Sequence, residues 1–263
     1  MARRFGLPIV VLLIATVFWW MDRSADRDDT TSAPDLHTPA VTAEEFVGDT
    51  SVESWQRVED FEKELVLFES VFWEPTDTTS LRKLIRETSL VKGKTVFEIG
   101  TGSGLVSLVC LKAGATRVVA SDINPNAVRN AVHNAQRLGL LDKFEVRRVS
   151  RRSPGAWTVL REDEKFDLII SNPPWEDSVP DQVKDFALYD PGFGLLTSLL
   201  SGAKERLKPG GRMLLAYGCV TAIRKIEELA PKHGFTVKRL DDRQLEGMDE
   251  VFLPGMLLEL TPE

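Results

Sequence analysis

Thr95-Val96-Phe97-Glu98-Ile99-Gly100-Thr101-Gly102-Ser103-Gly104 is a β-rich run that breaks into three glycines at alternate positions, and Leu105 to Ala113 continues it as a helix-like stretch. Glycines at such a strand-to-helix bend allow a tight turn and close approach of the backbone to a ligand. A dinucleotide fingerprint reads G-x-G-x-x-G, with the helix N-terminus aimed at a pyrophosphate. This chain reads G-x-G-x-G instead, with Glu98 just before it. A carboxylate so placed repels phosphate and attracts an ammonium group.

Working outward, the strand-like run Arg117 to Ser121 leads to Asp122, 18 residues past Gly104, where an acidic side chain can hold ribose hydroxyls. Asp122 can equally cap the following helix, in which Pro125 suits the first turn. Ribose without pyrophosphate, together with a cation, describes S-adenosylmethionine. Further on, Phe166-Asp167-Leu168-Ile169-Ile170-Ser171 reads as a buried strand that ends in Asn172-Pro173-Pro174-Trp175. The Asn172 amide oxygen and the Pro173 carbonyl can both accept hydrogen bonds from one planar –NH2 group, while the Trp175 ring stacks on its face. The plainer reading of this turn alone is a rigid end to a strand.

Glu98-Ile99-Gly100-Thr101-Gly102-Ser103-Gly104, Ser121-Asp122-Ile123-Asn124-Pro125 and Asn172-Pro173-Pro174-Trp175, in that order and spacing, resemble the class I S-adenosylmethionine-dependent methyltransferases. Within them the chain most resembles the HemK-type protein-glutamine N-methyltransferases and the related small-domain RNA and DNA amino-methyltransferases. Glu74-Pro75-Thr76-Asp77-Thr78 is also similar to a Glu-Pro-x-x-Asp-Thr segment that precedes the core in some HemK-type members. The resemblance covers about residues 70 to 260. It implies an α/β fold with a doubly wound, seven-stranded, mostly parallel sheet, S-adenosylmethionine as cofactor, and N-methylation of a planar amide or amino nitrogen. It also implies that Glu98, Gly100, Thr101, Gly102, Gly104, Asp122 and Ile123 hold the cofactor, with Asn172 beside it and Thr78 and Asp77 closing over it. Asn172 and Pro173 then orient the nucleophile and Trp175 stacks on it. Two positions depart from the HemK pattern. Trp175 stands where tyrosine is usual, and no acid follows the third strand to meet the adenine amino group. Phe144 to Val149 runs instead into Ser150-Arg151-Arg152, which leaves Ser150 as the hydrogen-bond acceptor there.

At 263 residues and 43% apolar content the chain suits one α/β domain with additions. Its net charge of −7 is uneven: residues 22–62 hold 12 acidic and 3 basic residues, and residues 1–21 add two arginines, so residues 63–263 are balanced. A balanced catalytic region lacks a basic footprint for nucleic acid, which favours a protein acceptor over RNA or DNA. The cluster Arg147, Arg148, Arg151 and Arg152 reads first as solvated surface, with a site for an acidic partner as the alternative. Cys110 and Cys219 sit in apolar contexts and read as packing residues, and no metal-ligand spacing is present. His37, His133 and His233 read as structural, in keeping with a transfer that rests on alignment rather than on a base. Two rivals stand beside the N-methyltransferase: a nicotinamide-dependent oxidoreductase, disfavoured by the glycine spacing, and a non-catalytic, membrane-tethered cofactor-binding module.

Phe5 to Met21 is an apolar run of 17 residues preceded by Arg3 and Arg4, at the short edge of a membrane span and without a small-x-small cleavage pattern. Residues 1–21 therefore read as an apolar helix serving as membrane anchor or signal-like segment, residues 22–60 as an acidic, disordered tether, and residues 61–263 as the methyltransferase domain. Two arginines stand on each side of the segment, Arg3 and Arg4 against Arg23 and Arg27, and the terminal amine tips the tail inward, which would export the domain and leaves the orientation open. Manufacture of the cofactor in the cytosol favours a domain on the cytoplasmic face, and if the true start is Met21 the protein is expected to be cytoplasmic. The oligomeric state is not decided by the sequence. Further expectations are helices over Asn126–Leu138, Gly194–Leu207 and Thr221–His233 and a strand over Arg212–Tyr217. Phe235–Leu240 and Val251–Leu260 are expected to form an antiparallel pair, and the polar loop from Glu176 to Tyr189 a lid over the acceptor.

Overall fold

A computed structural model describes residues 51–263, so the apolar segment of residues 1–21 and most of the expected tether lie outside the described residues. Val52–Gln56 (β1) and Leu65–Phe68 (β2) pair antiparallel, a turn at Pro75–Thr78 follows, and Thr79–Glu87 (α1) completes the entry to the domain. The alternating part comprises Thr95–Ile99 (β3), Leu105–Lys112 (α2), Arg117–Asp122 (β4), Pro125–Leu138 (α3), Phe144–Arg148 (β5) and Phe166–Ser171 (β6). Gly194–Arg206 (α4), Leu207–Cys219 (β7), Val220–Leu229 (α5), Phe235–Arg239 (β8) and Val251–Pro262 (β9) end the chain.

The seven main strands lie in the order β5-β4-β3-β6-β7-β9-β8. All run parallel except β9, which is antiparallel to both β7 and β8. This is the doubly wound, mostly parallel sheet expected from the sequence. Its central strands are apolar without alternation because helices cover both faces. Phe97, Ile169, Leu215 and Tyr217 pack on one side against Leu196, Leu200 and Ile223 of α4 and α5. Val96, Val118, Ile170 and Leu214 pack on the other against Ile85, Leu108 and Val132 of α1, α2 and α3. α3 carries its own start and stop: Pro125 in the first turn, Asn124 accepting from Asn126 N, and Gly139 in the left-handed region after its last turn.

The tether expected over residues 22–60 overlaps the structure at 51–60, and there the chain is ordered rather than disordered. β1 pairs with β2, whose backbone is in turn held by two asparagines of α3. Val66 N and Phe68 N donate to Asn134 Oδ1 and Asn130 Oδ1, and the two side-chain amides donate back to Val66 O. Both asparagines are fully buried, so they stand in for a missing strand at positions where an unpaired backbone group costs about 1–3 kcal/mol. Asp60 is buried against Arg82 and Arg86 of α1.

Two boundaries differ from expectation for local reasons. β7 begins at Leu207 rather than Arg212, because the pairing with β6 jumps from Phe166↔Leu207 to Leu168↔Arg212 and the intervening Lys208–Gly211 bulges out. α5 ends at Leu229 and passes into a tighter turn, Ala230–His233, where Pro231 has no N–H to continue the helix. Among the described residues no helix is long and apolar enough to cross a membrane.

Candidate functional site

Strand order reverses between β3 and β6: from β3 the chain proceeds to β4 and β5 on one side, and from β6 to β7 on the other. Ile99 pairs with Ser171 across that junction, and Ser171 Oγ donates to Ile99 O at 2.7 Å. Gly100 and Asn172 therefore leave the sheet side by side, at the crevice where ligands bind in open α/β sheets. A cavity of about 420 Å³ opens there, within the size range of small-molecule sites.

The glycine loop forms one wall. Gly100 and Gly102 line the cavity with φ of 75° and 55°, a region in which a side chain is strained, and a Cβ at Gly100 would point into open space. Asp122, at the end of β4, accepts from Gly102 N at 2.9 Å and from Asn124 N at 2.8 Å, so its carboxylate braces the loop while facing the cavity. Glu98 is almost fully buried, and its Oε2 accepts from the hydroxyls of Thr101 (2.6 Å) and Ser107. Ile123 and Thr78 complete this set at the cavity, and the Thr78 hydroxyl accepts from Arg82 Nε at 3.2 Å. Glu74, Glu98, Asp122 and Asp190 line the cavity against a single basic residue, Lys184. That balance suits a cationic ligand with ribose hydroxyls and opposes a pyrophosphate. The residues present thus fit S-adenosylmethionine.

Four expected site residues do not line the cavity: Asp77 is buried away from it against Asn172, and Gly104, Ser150 and Trp175 stand elsewhere. Gly104 faces α3, where a Cβ would come within 3.0 Å of Ala131 Cα, so this glycine serves helix packing. Ser150 is exposed, its hydroxyl accepting from Arg152 N at 3.2 Å, and the cavity wall nearby is Val149, Pro154 and Gly155. Trp175 is 8% exposed with its ring in the core, pressed over Gly218, where a Cβ would stand 2.6 Å from Trp175 Cη2. The aromatic faces at the cavity are instead Phe72, Trp73, Phe186 and Tyr189. Arg147 also leaves the basic cluster: it is buried between Glu145 and Glu164, whose carboxylates it holds.

The loop after Trp175 lines the cavity. It folds back through Glu176 N to Leu188 O (3.1 Å) and Asp190 N to Glu176 O (2.8 Å), and Val183, Phe186 and Tyr189 line the cavity from it. Asp190 was not foreseen as a site residue. Its carboxylate accepts from Leu195 N (2.7 Å) and Leu196 N (3.0 Å) at the start of α4, and it faces the cavity as well. An Asp-Pro pair just ahead of a helix is a capping pattern that marks it. At the far side Asn172 Nδ2 donates to Asp77 Oδ2 at 3.3 Å, while Asn172 Oδ1 is buried without a hydrogen-bond partner. A buried acceptor left unpaired is uncommon, and at a cavity wall it marks a place for a donor.

Burial pushes three of these carboxyls up: Glu98 to about 7, Asp122 to about 6 and Asp77 to about 6. Each holds its proton to a higher pH in the fold than in the unfolded chain, so its contribution is present below about pH 4 and is lost as pH rises from there through 6 to 7. Asp167 and Glu164 act oppositely. Burial works against their charge, but Thr95 and Lys208 around Asp167, and Arg147 and Arg161 around Glu164, hold both down at about 2. Their contribution is lost as pH falls from about 4.5 toward 2. The cofactor-free protein should therefore melt highest near about pH 4 and lower on either side. Thermal melts from pH 3 to 8 measure this, and a melting temperature that rises steadily from pH 5 to 8 contradicts it.

Sheet order, glycine loop and acidic cavity together define a class I S-adenosylmethionine-dependent methyltransferase. The family model described as ribosomal protein L11 methyltransferase (PrmA) matches residues 74–173. A putative protein N5-glutamine methyltransferase of Methanocaldococcus jannaschii is 33% identical over 174 residues, covering 63% of this chain and 82% of that protein. A release factor glutamine methyltransferase of Clostridium acetobutylicum is 34% identical over 136 residues, 47% of this chain and 46% of that protein; the chain thus spans about half the length of such relatives. A crystal structure of ribosomal protein L11 methylase from Lactobacillus delbrueckii subsp. bulgaricus has the same fold, with a TM-score of 0.52 at 22% identity over 73% of this chain and 81% of that one. The chain belongs to the HemK-type branch of the S-adenosylmethionine-dependent methyltransferases.

Proposed function

We propose that this enzyme methylates the side-chain amide nitrogen of a protein glutamine, with S-adenosylmethionine as methyl donor. The observation that carries the reading is the buried, unpartnered Oδ1 of Asn172 beside the cavity-lining Pro173. An amide –NH2 presents two N–H donors in one plane, and an asparagine oxygen with a neighbouring backbone carbonyl matches that plane with two acceptors. The names of the relatives, glutamine methyltransferases acting on protein, support the same acceptor class.

Bound S-adenosylmethionine supplies an electrophilic methyl group. The chain's own part is to hold and to align. Asp122, Gly100, Gly102, Ile123 and Thr78 offer the surface for the cofactor, with Glu98 and Thr101 setting the local charge and loop shape. Asn172 Oδ1 and the Pro173 carbonyl draw on the two N–H bonds of the acceptor, which turns its nitrogen toward the methyl carbon and enriches that nitrogen in electron density. The loop from Glu176 to Tyr189 excludes water from the cavity. No histidine is used. The test is incubation of a cell lysate with methyl-labelled S-adenosylmethionine and the enzyme, followed by protease or nuclease. Label released by protease and recovered as N5-methylglutamine after full digestion supports the reading; label released by nuclease refutes it.

A further inference from the structure

Asp77 lies behind Asn172 without lining the cavity, and it is 3% exposed. One carboxyl oxygen accepts from Asn172 Nδ2, and the other, Oδ1, is buried without a partner. The turn that carries Asp77 is secured by other means. Arg82 Nη2 donates to Pro75 O at 2.9 Å and Arg82 Nε to Thr78 Oγ1, while Gly255 of β9 lies against the Asp77 carbonyl. Burial, with Glu74 nearby, raises the Asp77 pKa, and the hydrogen bond from Asn172 only partly offsets this. A buried carboxyl with no cation beside it is therefore kept at a cost to stability.

We propose that Asp77 is a positioning residue that fixes the direction of the Asn172 amide, admitting only the arrangement with Nδ2 turned inward and Oδ1 turned to the methyl acceptor. This rests on the reading of Asn172 given above. The two ends of an asparagine amide are nearly the same size, so an asparagine without such a neighbour can present either end. Above about pH 6 Asp77 is ionised, and an ionised carboxylate can only accept, which excludes the reversed amide. The reversed amide would aim its N–H bonds at the N–H bonds of the acceptor and expel it. Asp77 thus makes the site select a donor –NH2 over a carbonyl.

Full-length Asp77→Asn and Asp77→Leu test this by three measurements: methyl transfer to the protein fraction that the wild type labels, cofactor calorimetry, and the NMR signal of the Asn172 side-chain amide. The expected kcat falls about 10-fold in Asp77→Asn, which keeps an acceptor but no longer enforces direction, and about 100-fold in Asp77→Leu. The cofactor Kd should stay within about twofold and the melting temperature at pH 8 should hold or rise, since a buried charge has gone. The Asn172 amide signal should move in both variants. A kcat within twofold of wild type, or a loss of cofactor affinity that matches the loss of rate, overturns the proposal. If Asp77→Leu does not fold, Asp77→Asn decides alone. A wild type that labels no protein refutes the functional reading instead; the amide signal needs no substrate, and its failure to move in Asp77→Asn then overturns the role of Asp77 separately.

Discussion

Asn172→Ala should lower methyl transfer by about 10²–10³-fold while leaving the affinity for S-adenosylmethionine within about twofold. The asymmetry follows from where the side chain points. Its oxygen is buried and unpaired, and its nitrogen goes to Asp77, so no hydrogen bond of the glycine loop or of Asp122 depends on it. Truncation therefore removes one of the two acceptors that align the nucleophile and leaves the cofactor wall standing. Stability should change little, because the variant loses an orphaned acceptor, which relieves a desolvation cost, and leaves Asp77 without its donor, which adds one. Calorimetry with the cofactor and labelled transfer on the same preparation measure the two quantities together. Lost cofactor affinity in the variant would contradict the division of labour between Asn172 and the glycine loop.

The sheet and the glycine-loop wall of the cavity were legible because both depend on local signals. Apolar runs bounded by Gly100 and Asn172 mark strands buried on both faces, and positive φ at Gly100 and Gly102 is what alternate glycines permit. The pairing of Ile99 with Ser171 then brings the two motifs together, as the strand order implied by the resemblance required. What the sequence did not disclose depends on partners distant in the chain. The order of β1 and β2 rests on Asn130 and Asn134, polar residues on a helix that read as solvated until the strand edge they satisfy is known. Gly104 belongs with the loop by spacing but with α3 by contact. Ser150 follows β5 in register, yet the next residues turn it out to solvent, and Val149 takes the wall. Arg147 stands in a run of arginines in the sequence, and Glu164, 17 residues further on, joins Glu145 in making it a buried ion pair.

Trp175 offers the sharpest contrast between motif and contact, and Trp175→Ala should act on stability rather than on transfer. As the aromatic of an Asn-Pro-Pro turn it reads as the acceptor's stacking face, but its ring lies in the core over Gly218. Removing a buried tryptophan costs about 3–5 kcal/mol, because the surroundings close only partly over the void. In a domain of this size that is a fall in melting temperature on the order of 10 °C. Gly218→Ala should approach the same site from the other side. A Cβ there would stand 2.5 Å from the Phe252 carbonyl and 2.6 Å from Trp175 Cη2. The ring can yield, but the carbonyl belongs to β9, which is hydrogen-bonded between β7 and β8. The expected cost is about 1–3 kcal/mol or more, since overpacking against backbone must move a strand. Rate per folded molecule at a temperature well below the transition separates the two roles of the tryptophan. If Trp175→Ala melts like the wild type yet transfers a hundredfold more slowly, the ring swings out to the acceptor in the working enzyme, and the core position described above is not the one that matters for catalysis.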